Sequence, residues 1–493
     1  MNFISCSFFV FFIVFFALYY IVRPEYRYVL IFIGSYFFYG WCSVKMLPVL
    51  IISTVITYIG GRVIEINRSR LTYACFFLAN ICILLFYKYA GALLQNIIAN
   101  EAFAWLNAFL TTHSMSKIIM PVGLSFYVFQ STTYLGDIYR KGMQAERNFV
   151  RYAAFVSFFP TILSGPIQKS RELLPQLKMP CALDFDSARK GLILFIWGCF
   201  EKLCVSNKLL QIVNAIYDNY WDYWIEQPNR ASYYLVAAVC FSVYIYSDFS
   251  AYSDMSRGIS KLLGIEVGRN FKNPYLSTSL AEFWTRWHVS LNDWFVENIY
   301  IPLGGSRRGN IRKYINIFVI FFVSGLWHGA TWNFLLWGII NGLLVIIGHI
   351  IRPLKTKFYS VIKVDESVES VTFIRRIIVF WIITLTWVFF KNDANVAFDI
   401  VRQLLTITPV RFFVPSVFQI SGSTSKTLCT AVFTILFCLI QYCRKDKENT
   451  YLLFKKQPIF IQSLILAVVI CICTITAMAS SVTVNTEFLY FNF

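Results

Sequence analysis

The segment FISCSFFVFFIVFFALYYIV, residues 3–22, is a run of apolar residues with no charged side chain. A helix needs about 20 such residues to cross the hydrocarbon core of a bilayer. A cleavable signal peptide has a basic start and a small-residue cleavage site, and this segment has neither. Further apolar runs follow at once, so the segment predicts a retained transmembrane helix.

The same pattern recurs along the chain. VLIFIGSYFFYGW occupies residues 29–41 and PIFIQSLILAVVICICTITAM occupies residues 458–478. Of the 493 residues 57% are hydrophobic, 18% are aromatic and only 14% are charged, whereas soluble domains carry roughly 25% charged residues. The sequence therefore predicts an all-α, polytopic integral membrane protein with about a dozen transmembrane or re-entrant helices.

No long linker and no internal repeat divides the chain, so residues 1–493 are predicted to form one membrane domain. Between about residues 121 and 337, polar and helix-breaking residues interrupt the apolar runs. Irregular backbone at membrane depth is tolerated only where protein buries it or where it lines a water-filled cavity. We therefore expect a site-bearing core at 115–350, with flanking helices at 1–110 and 351–493.

The formal net charge of +18 comes from basic residues that cluster between the apolar runs. Cytoplasmic loops of membrane proteins carry such clusters, which face anionic lipid. This distribution argues against nucleic-acid binding. It predicts that both termini lie outside the cytoplasm, together with the loops at 212–230 and 391–425. The second loop contains ANVAFDIVRQLL, an amphipathic helix expected to lie in the interface, with an apolar face formed by Phe398, Val401, Leu404 and Leu405. The clusters are Arg23/Arg27, Arg62/Arg68/Arg70, Arg140/Lys141/Arg147/Arg151, Arg307/Arg308/Arg312/Lys313, residues 352–376, Arg444/Lys445/Lys447 and Lys455/Lys456.

His328 stands inside an apolar run, in SGLWHGATWNFLLWG at 324–338. Histidine is the side chain best suited to take a proton from a hydroxyl near neutral pH and to return it to a leaving group. A packing role is the alternative, because Gly325 and Gly329 are one turn apart and permit close helix contact. The residues around His328 do not decide between the catalytic role and the packing role.

His288 is the second candidate, in FWTRWHVSLNDWF at 283–295. This stretch is too charged for an ordinary span and too aromatic for a solvated loop. It predicts a helix that lies at, or dips into, the cytoplasmic interface, with charged residues such as Arg286 lining a cavity.

Other ionisable residues accompany these histidines. Asp248 lies within an apolar run among Ser and Tyr residues. A carboxylate in this position indicates either a substrate pathway or a polar network between helices. Glu201 and Lys202 are expected to snorkel from a helix end. GGSRRGNIRK at 304–313 is either a phosphate cradle, through Arg307 and Arg308, or a positive-inside anchor. The thirteen cysteines have no metal-binding spacing and are expected to be small core residues, so no metal site is predicted.

Five motifs in order resemble the membrane-bound O-acyltransferase (MBOAT) family, and in particular its bacterial branch for alginate O-acetylation. The resemblance extends over nearly the whole chain. The motifs are PVGLSFYVFQ at 121–130, FFPTILSGPI at 158–167, YSDFSAYSDM at 246–255, FWTRWHVSLNDWF at 283–295 and GLWHGATWNFLLWG at 325–338.

The resemblance implies a ring of helices around a thinned centre in the bacterial cytoplasmic membrane. It implies that His328 is the catalytic histidine and that His288 is a second essential residue. An acetyl group, with acetyl-CoA as the expected donor and no bound cofactor, would be transferred with His328 as general base or transient acyl carrier. The product would pass to an extracytoplasmic O-acetyltransferase or a polysaccharide biosynthesis partner. Candidate substrate-binding residues are Asp248, Arg286, Arg307, Arg308 and Trp327.

Three alternatives remain at this point. D-alanyl transfer to teichoic acid belongs to the same family, and the length of the chain after Gly348 favours the acetyl-transferring branch. A transporter for a lipid-linked sugar would show paired broken helices in two repeats, which are not visible. A membrane scaffold has no need for two histidines in a polar interior. The acceptor polysaccharide is open among alginate, cellulose, peptidoglycan and other exopolysaccharides.

Overall fold

A computed structural model describes residues 1–98, 120–179, 182–219, 230–406, 423–443, 454–479 and 488. Within these ranges the chain forms helices and no β-strand. The α-helices are α1 (Cys6–Ile21), α2 (Arg27–Cys42), α3 (Leu47–Ile66), α4 (Arg70–Ile98), α5 (Leu124–Lys141), α6 (Phe149–Val156), α7 (Ser170–Lys178), α8 (Phe185–Phe200), α9 (Asn207–Tyr217), α10 (Arg230–Leu262), α11 (Leu280–Arg286), α12 (Val289–Phe295), α13 (Asn310–His328), α14 (Trp332–Val361), α15 (Glu369–Lys391), α16 (Ala394–Leu405), α17 (Thr424–Cys443) and α18 (Ile459–Ala479).

Seven of these described helices are long and apolar enough to cross a membrane: α3, α4, α10, α14, α15, α17 and α18. Many of their apolar side chains are exposed on the protein, including Phe460 and Met478 near the two ends of α18. Such a surface is stable only against lipid, because exposed apolar area in water is unfavourable. The predicted all-α, polytopic membrane class is therefore confirmed. The predicted ring around a thinned centre stays a prediction, as does the division of the sequence into core and flanking helices.

The chain folds into two compact units. The first comprises Met1–Leu192, Ser256–Gly268 and Thr486–Phe493, and the second comprises Ile193–Met255 and Arg269–Asn485.

Helix α5 is the buried centre of the first unit, where every residue from Leu124 to Ile138 is buried. Several of its polar side chains form hydrogen bonds with those of its neighbours. Asn80 of α4 donates to the Ser131 hydroxyl at 2.8 Å, and Asp137 accepts from Arg171 at 2.9 Å and from Ser170 at 2.8 Å. Hydrogen bonding of this kind satisfies polar groups that burial would otherwise destabilise.

In the second unit, α13 and α14 form a tight antiparallel hairpin. A methyl group added at Gly338 would lie 2.4 Å from the carbonyl oxygen of Phe321, and one added at Gly325 would lie 2.6 Å from that of Phe334. Real Cβ atoms do not approach carbonyl oxygens so closely, so only glycine permits this helix contact. The close-packing role predicted for Gly325 is confirmed, and Gly338 is its counterpart on the opposite helix.

Two predictions need correction. Glu201 and Lys202 are fully buried and do not snorkel. Cys75, Cys82, Cys438 and Cys471 are exposed on helices rather than buried in a core. Helix α16 forms at ANVAFDIVRQLL as predicted. It buries Val396, Ala397 and Ile400 and exposes Phe398 and Leu405, and its position in the interface stays a prediction.

Some predictions concern segments outside the described residues. Of the loop predicted at 212–230, residues 212–217 belong to α9 and residues 220–229 lie outside the described ranges. Residues 407–422 of the loop at 391–425 and the C-terminal residues 489–493 also lie outside the described ranges. The sidedness of the termini stays a prediction.

Candidate active site

His328 is the last residue of α13, directly before the turn at residues 329–331 that leads into α14. The helix ends here because Gly329 is fully extended, with φ −177° and ψ 167°. The imidazole is 5% exposed. The tight α13–α14 hairpin therefore fixes His328 at its closed end, within the protein rather than on its surface.

His288 joins two short helices, α11 and α12, in the left-handed conformation with φ 43° and ψ 55°. This conformation is unfavourable by about 1–2 kcal/mol for a residue with a Cβ atom. Two backbone hydrogen bonds hold it, from Val289 N to Asn270 O at 2.8 Å and from Lys272 N to Arg286 O at 3.0 Å. Strain maintained in this way is common at functional sites, and the side chain that it places is 4% exposed.

The two histidines contact the same indole ring. The ring centre of Trp327 lies 4.5 Å from that of His328 and 6.3 Å from that of His288. Phe249 of α10 covers His288 in an edge-to-face contact at 4.6 Å. The structure therefore brings together the two histidines and Trp327, which the sequence proposes as a binding residue.

Further aromatic rings enclose His328. Phe390 of α15 lies 4.8 Å from it, Trp337 of α14 lies 5.2 Å away and Phe334 lies 6.2 Å away, measured between ring centres. We refer to His288, Trp327, His328, Phe334, Trp337 and Phe390 as the histidine cluster. Its rings lower the local polarity, which strengthens any electrostatic interaction made within it.

Burial determines the charge of His288. It lowers the pKa of this imidazole to about 3, because a charged ring would lose its hydration inside the protein. His288 is therefore neutral at physiological pH. A neutral imidazole carries one donor and one acceptor nitrogen, which suits it to bind and orient a hydroxyl group.

Arg286 ends α11 and is paired with Glu282 one turn earlier, with 2.5 Å between Arg286 Nη2 and Glu282 Oε1. Its side chain is about one-third exposed. An anionic substrate group at Arg286 would have to compete with this carboxylate.

Asp248 lies in a buried ion pair. Lys202 Nζ donates to Asp248 Oδ1 at 2.6 Å, and the Ser206 hydroxyl donates to the same oxygen at 2.7 Å. Both partners belong to the segment Glu201–Ser206, which is a π-helical turn between α8 and α9. Such turns are frequent at functional sites. The arrangement matches the polar network that the sequence offers as one interpretation of Asp248, and its proposed substrate role remains a prediction.

Arg307 and Arg308 lie in an exposed loop at the other end of α13 from His328. The helix has 19 residues and is therefore about 28 Å long. Gly304, Gly305 and Gly309 in this loop have positive φ angles, and Asn316 Nδ2 ties the loop to α13 through the Gly305 carbonyl at 2.9 Å. The structure does not bring these arginines to the histidines.

Residues 145–391 match the model of the membrane-bound O-acyltransferase family. This range holds both histidines and half of the chain. The chain belongs to the membrane-bound O-acyltransferase family. It is an acyltransferase, which settles the choice between enzyme, transporter and scaffold.

Relatives of this membrane-bound O-acyltransferase include several bacterial proteins. The "Probable alginate O-acetylase AlgI" of Pseudomonas syringae pv. tomato is 32% identical, over 90% of this chain and 82% of the relative. The "Peptidoglycan O-acetyltransferase" of Helicobacter pylori is 28% identical, over 94% of this chain and 90% of its own. The "Teichoic acid D-alanyltransferase" of Bacillus subtilis is 23% identical, over 52% of this chain and 67% of its own.

Sequence reasoning missed part of this acyltransferase's site. Phe390 of α15 was not foreseen, nor was Trp387 of the same helix, whose ring stacks on Trp337 at 5.6 Å. Asn270, whose carbonyl accepts from Val289 N, was also not foreseen. Trp337 and Phe334 lie within the motif around His328, but nothing in the motif indicates which of its rings face the histidine. The one available signal was the spacing of Trp387 and Phe390, since residues three apart share a helix face.

Proposed function

We propose that this enzyme transfers an acetyl group from acetyl-CoA for the O-acetylation of a cell-envelope or exported polysaccharide. The observation that carries the proposal is the histidine cluster, in which two buried histidines flank one tryptophan. Two buried histidines that contact the same indole ring, one of them held neutral, provide a base and a hydroxyl-binding group in one site. The relatives named for alginate and peptidoglycan O-acetylation, which align with most of the chain, support the acetyl group and the class of acceptor.

In the proposed reaction, His328 acts as general base. An acceptor hydroxyl oxygen attacks the carbonyl carbon of the acetyl thioester, and its proton passes to His328. The carbon–sulfur bond then breaks, and the leaving thiolate takes the proton back from His328. The products are an acetyl ester and free CoA. His288, held neutral by burial, accepts or donates a hydrogen bond to orient the hydroxyl group.

The surroundings of His328 favour a short acyl group. The ring centres of Phe390 and Trp337 lie 4.8 Å and 5.2 Å from the ring centre of His328. A two-carbon acetyl group fits beside such rings with little rearrangement, whereas a long chain would have to displace them from a close-packed interior.

The donor is proposed to arrive from the cytoplasm. Arg307 and Arg308 are exposed in a basic loop, where they attract the phosphates of CoA by charge. Because α13 separates this loop from His328 by about 28 Å, we assign these arginines to attraction of the donor and not to contact with its acetyl group. The product is proposed to pass to an extracytoplasmic O-acetyltransferase or a polysaccharide biosynthesis partner, from an enzyme in the bacterial cytoplasmic membrane with both termini outside.

D-alanyl transfer to teichoic acid is the second candidate. A D-alanyltransferase relative supports it, but the match covers 52% of this chain, against 90% for the alginate relative. The difference favours acetyl transfer.

The proposal is tested in a strain that lacks the gene and carries plasmid copies of it. We expect the wild-type enzyme to restore acetate that mild alkali releases from envelope polysaccharide. His328→Ala should reduce this acetate at least about 100-fold, because general acid–base catalysis contributes 10²–10⁴-fold to a rate. His288→Ala should also reduce it, because the acceptor hydroxyl loses the group that orients it. His349→Ala is the matched control, since His349 lies on α14 outside the histidine cluster.

Protein levels in the membrane are compared by immunoblot. Full acetate levels in the His328→Ala strain would refute the proposed mechanism. Loss of ester-linked D-alanine, with unchanged acetate, in the strain that lacks the gene would instead support the second candidate.

A further inference from the structure

Trp337 is a buried indole of the histidine cluster, and its N–H group has no partner among the residues that the structure describes. The side chain is 2% exposed. Among the residues that the structure describes, none accepts a hydrogen bond from Trp337 Nε1. Buried donors in folded proteins are nearly always hydrogen-bonded, so an unpaired one calls for a specific explanation.

The position of Trp337 offers such an explanation. Its ring centre is 5.2 Å from that of His328, with the two planes at 90°. The Nε1 atom belongs to the ring that contacts the imidazole we propose as the base. Phe390, 5.3 Å from Trp337, closes the same space. Such surroundings exclude water, so the natural partner of the N–H group is the substrate.

A neighbouring tryptophan shows the contrast. Trp387 stacks on Trp337 at 5.6 Å, with 17° between the planes. Its Nε1 donates to the Tyr275 hydroxyl at 3.2 Å, which in turn donates to the Ser242 carbonyl at 2.6 Å. The fold therefore gives the Trp387 donor a partner, whereas the Trp337 donor has none within the described part of the chain.

We propose that the indole N–H of Trp337 donates a hydrogen bond to the carbonyl oxygen of the acyl group during transfer. This inference rests on the proposed function. When the acceptor hydroxyl attacks, the carbonyl oxygen takes up the electron pair of the C=O π bond and becomes an oxyanion. A donor that is already in place stabilises this charge without reorganisation, and more strongly in an apolar site than in water. The oxyanion then re-forms the double bond as the carbon–sulfur bond breaks.

Trp337 is held rigidly enough for this role. Trp387 stacks on one face, Trp284 meets the ring at 5.4 Å and 83°, and Gly338, the next residue, contacts Gly325 across the α13–α14 hairpin. Trp284 Nε1 also has no partner among the described residues. No ring contact between Trp284 and His328 occurs within the described part of the chain, so we assign the donor role to Trp337.

The decisive variant is Trp337→Phe, which removes the N–H group and keeps an aromatic ring. Purified enzyme in lipid nanodiscs is given acetyl-CoA, with alkali-treated envelope polysaccharide from the strain that lacks the gene as acceptor. Release of CoA thiol is followed. We expect kcat to fall about 100-fold or more, the effect of losing one oxyanion donor, with KM for acetyl-CoA nearly unchanged.

The matched control is Trp381→Phe. Trp381 lies on α15, the helix that carries Trp387, but it is 39% exposed. Its kcat should stay within about twofold of wild type. A kcat for Trp337→Phe within threefold of this control would overturn the inference. Full activity of His328→Ala would overturn the proposed function instead.

Trp337→Phe also removes ring volume, and a misfolded variant would lose activity for that reason. Replacement of Trp337 by 3-benzothienylalanine avoids this, because sulfur takes the place of the N–H group in a ring of nearly the same shape. Thermal stability equal to wild type, together with the same loss of kcat, supports the donor role. Wild-type kcat in this variant overturns it.

Discussion

The backbone conformations of the two histidines differ. His328 ends a regular helix. His288 has a left-handed backbone conformation, which is usually occupied by glycine. The fold holds His288 there with two backbone hydrogen bonds, from Val289 N to Asn270 O and from Lys272 N to Arg286 O. Its burial lowers its pKa to about 3, so its contribution to stability depends on pH.

The pH dependence of stability follows from this shift. The ordinary pKa of histidine is about 6.5, so below that pH the unfolded chain binds a proton at His288 and the folded chain does not until about pH 3. The stabilisation from the neutral ring is therefore complete above pH 6.5. It declines as the pH falls, by at most about 1.4 kcal/mol per pH unit.

We expect the wild-type protein in detergent to lose more thermal stability between pH 7.5 and pH 5 than His288→Gly does. Glycine removes the titrating group and accepts φ 43° without strain. The fraction of monodisperse protein after heating is measured by size-exclusion chromatography at both pH values, with His349→Ala as control. Equal pH dependence of wild type and His288→Gly would contradict the assignment.

At the scale of elements, the π-helical turn at Glu201–Ser206 and helix α10 are joined by an ion pair. Lys202 and Asp248 are both fully buried, and they are 46 residues apart in the chain. Removal of one charge leaves the other buried without compensation, which destabilises by about 3–5 kcal/mol, whereas replacement of both by apolar residues is often neutral.

Lys202→Met and Asp248→Leu should each lower the Tm of the purified protein strongly, and the double variant should recover most of the loss. Tm is measured in detergent by the loss of soluble protein on heating. A double variant as unstable as the sum of the single ones would show that the two charges do not compensate each other. If the stable double variant also retains acetyl transfer, the proposed substrate role of Asp248 is wrong.

At the scale of the whole molecule, the α13–α14 hairpin relates the basic loop to the site. Helix α13 has 19 residues and a length of about 28 Å, close to the roughly 30 Å of a bilayer core. The basic loop with Arg308 and the turn with Thr331 are at its opposite ends. If the basic clusters are cytoplasmic and α13 crosses the bilayer, His328 lies near the outer side of the membrane.

Cysteine labelling tests this crossing. In a variant whose thirteen native cysteines are replaced by serine or alanine, Arg308→Cys should react with a membrane-impermeant maleimide only in inside-out vesicles. Thr331→Cys should react only in right-side-out vesicles. Both positions are exposed, so reagent access is not limited by the protein. Reaction of both from the same side would show that α13 does not cross.

Much of the fold class was predictable because hydropathy and charge are local properties of the chain. Apolar runs of about 20 residues marked the spans, and the interrupted middle of the chain directed attention to His288 and His328. Burial of Glu201 and Lys202 was not predictable, because their partners lie on helices that are distant in the sequence. The burial of Val396, Ala397 and Ile400 on α16 was not predictable either, since hydropathy does not distinguish a face packed on protein from one that suits lipid.

The sequence by itself determined that this protein is an all-α membrane acyltransferase with two candidate histidines. Only the tertiary structure decided that these histidines share Trp327, that Trp337 and Phe390 enclose His328, and that Asp248 is paired with Lys202. The physical reason is that apolar runs and motifs act through neighbours in the chain, whereas ring contacts and buried ion pairs join helices whose packing depends on the complete fold.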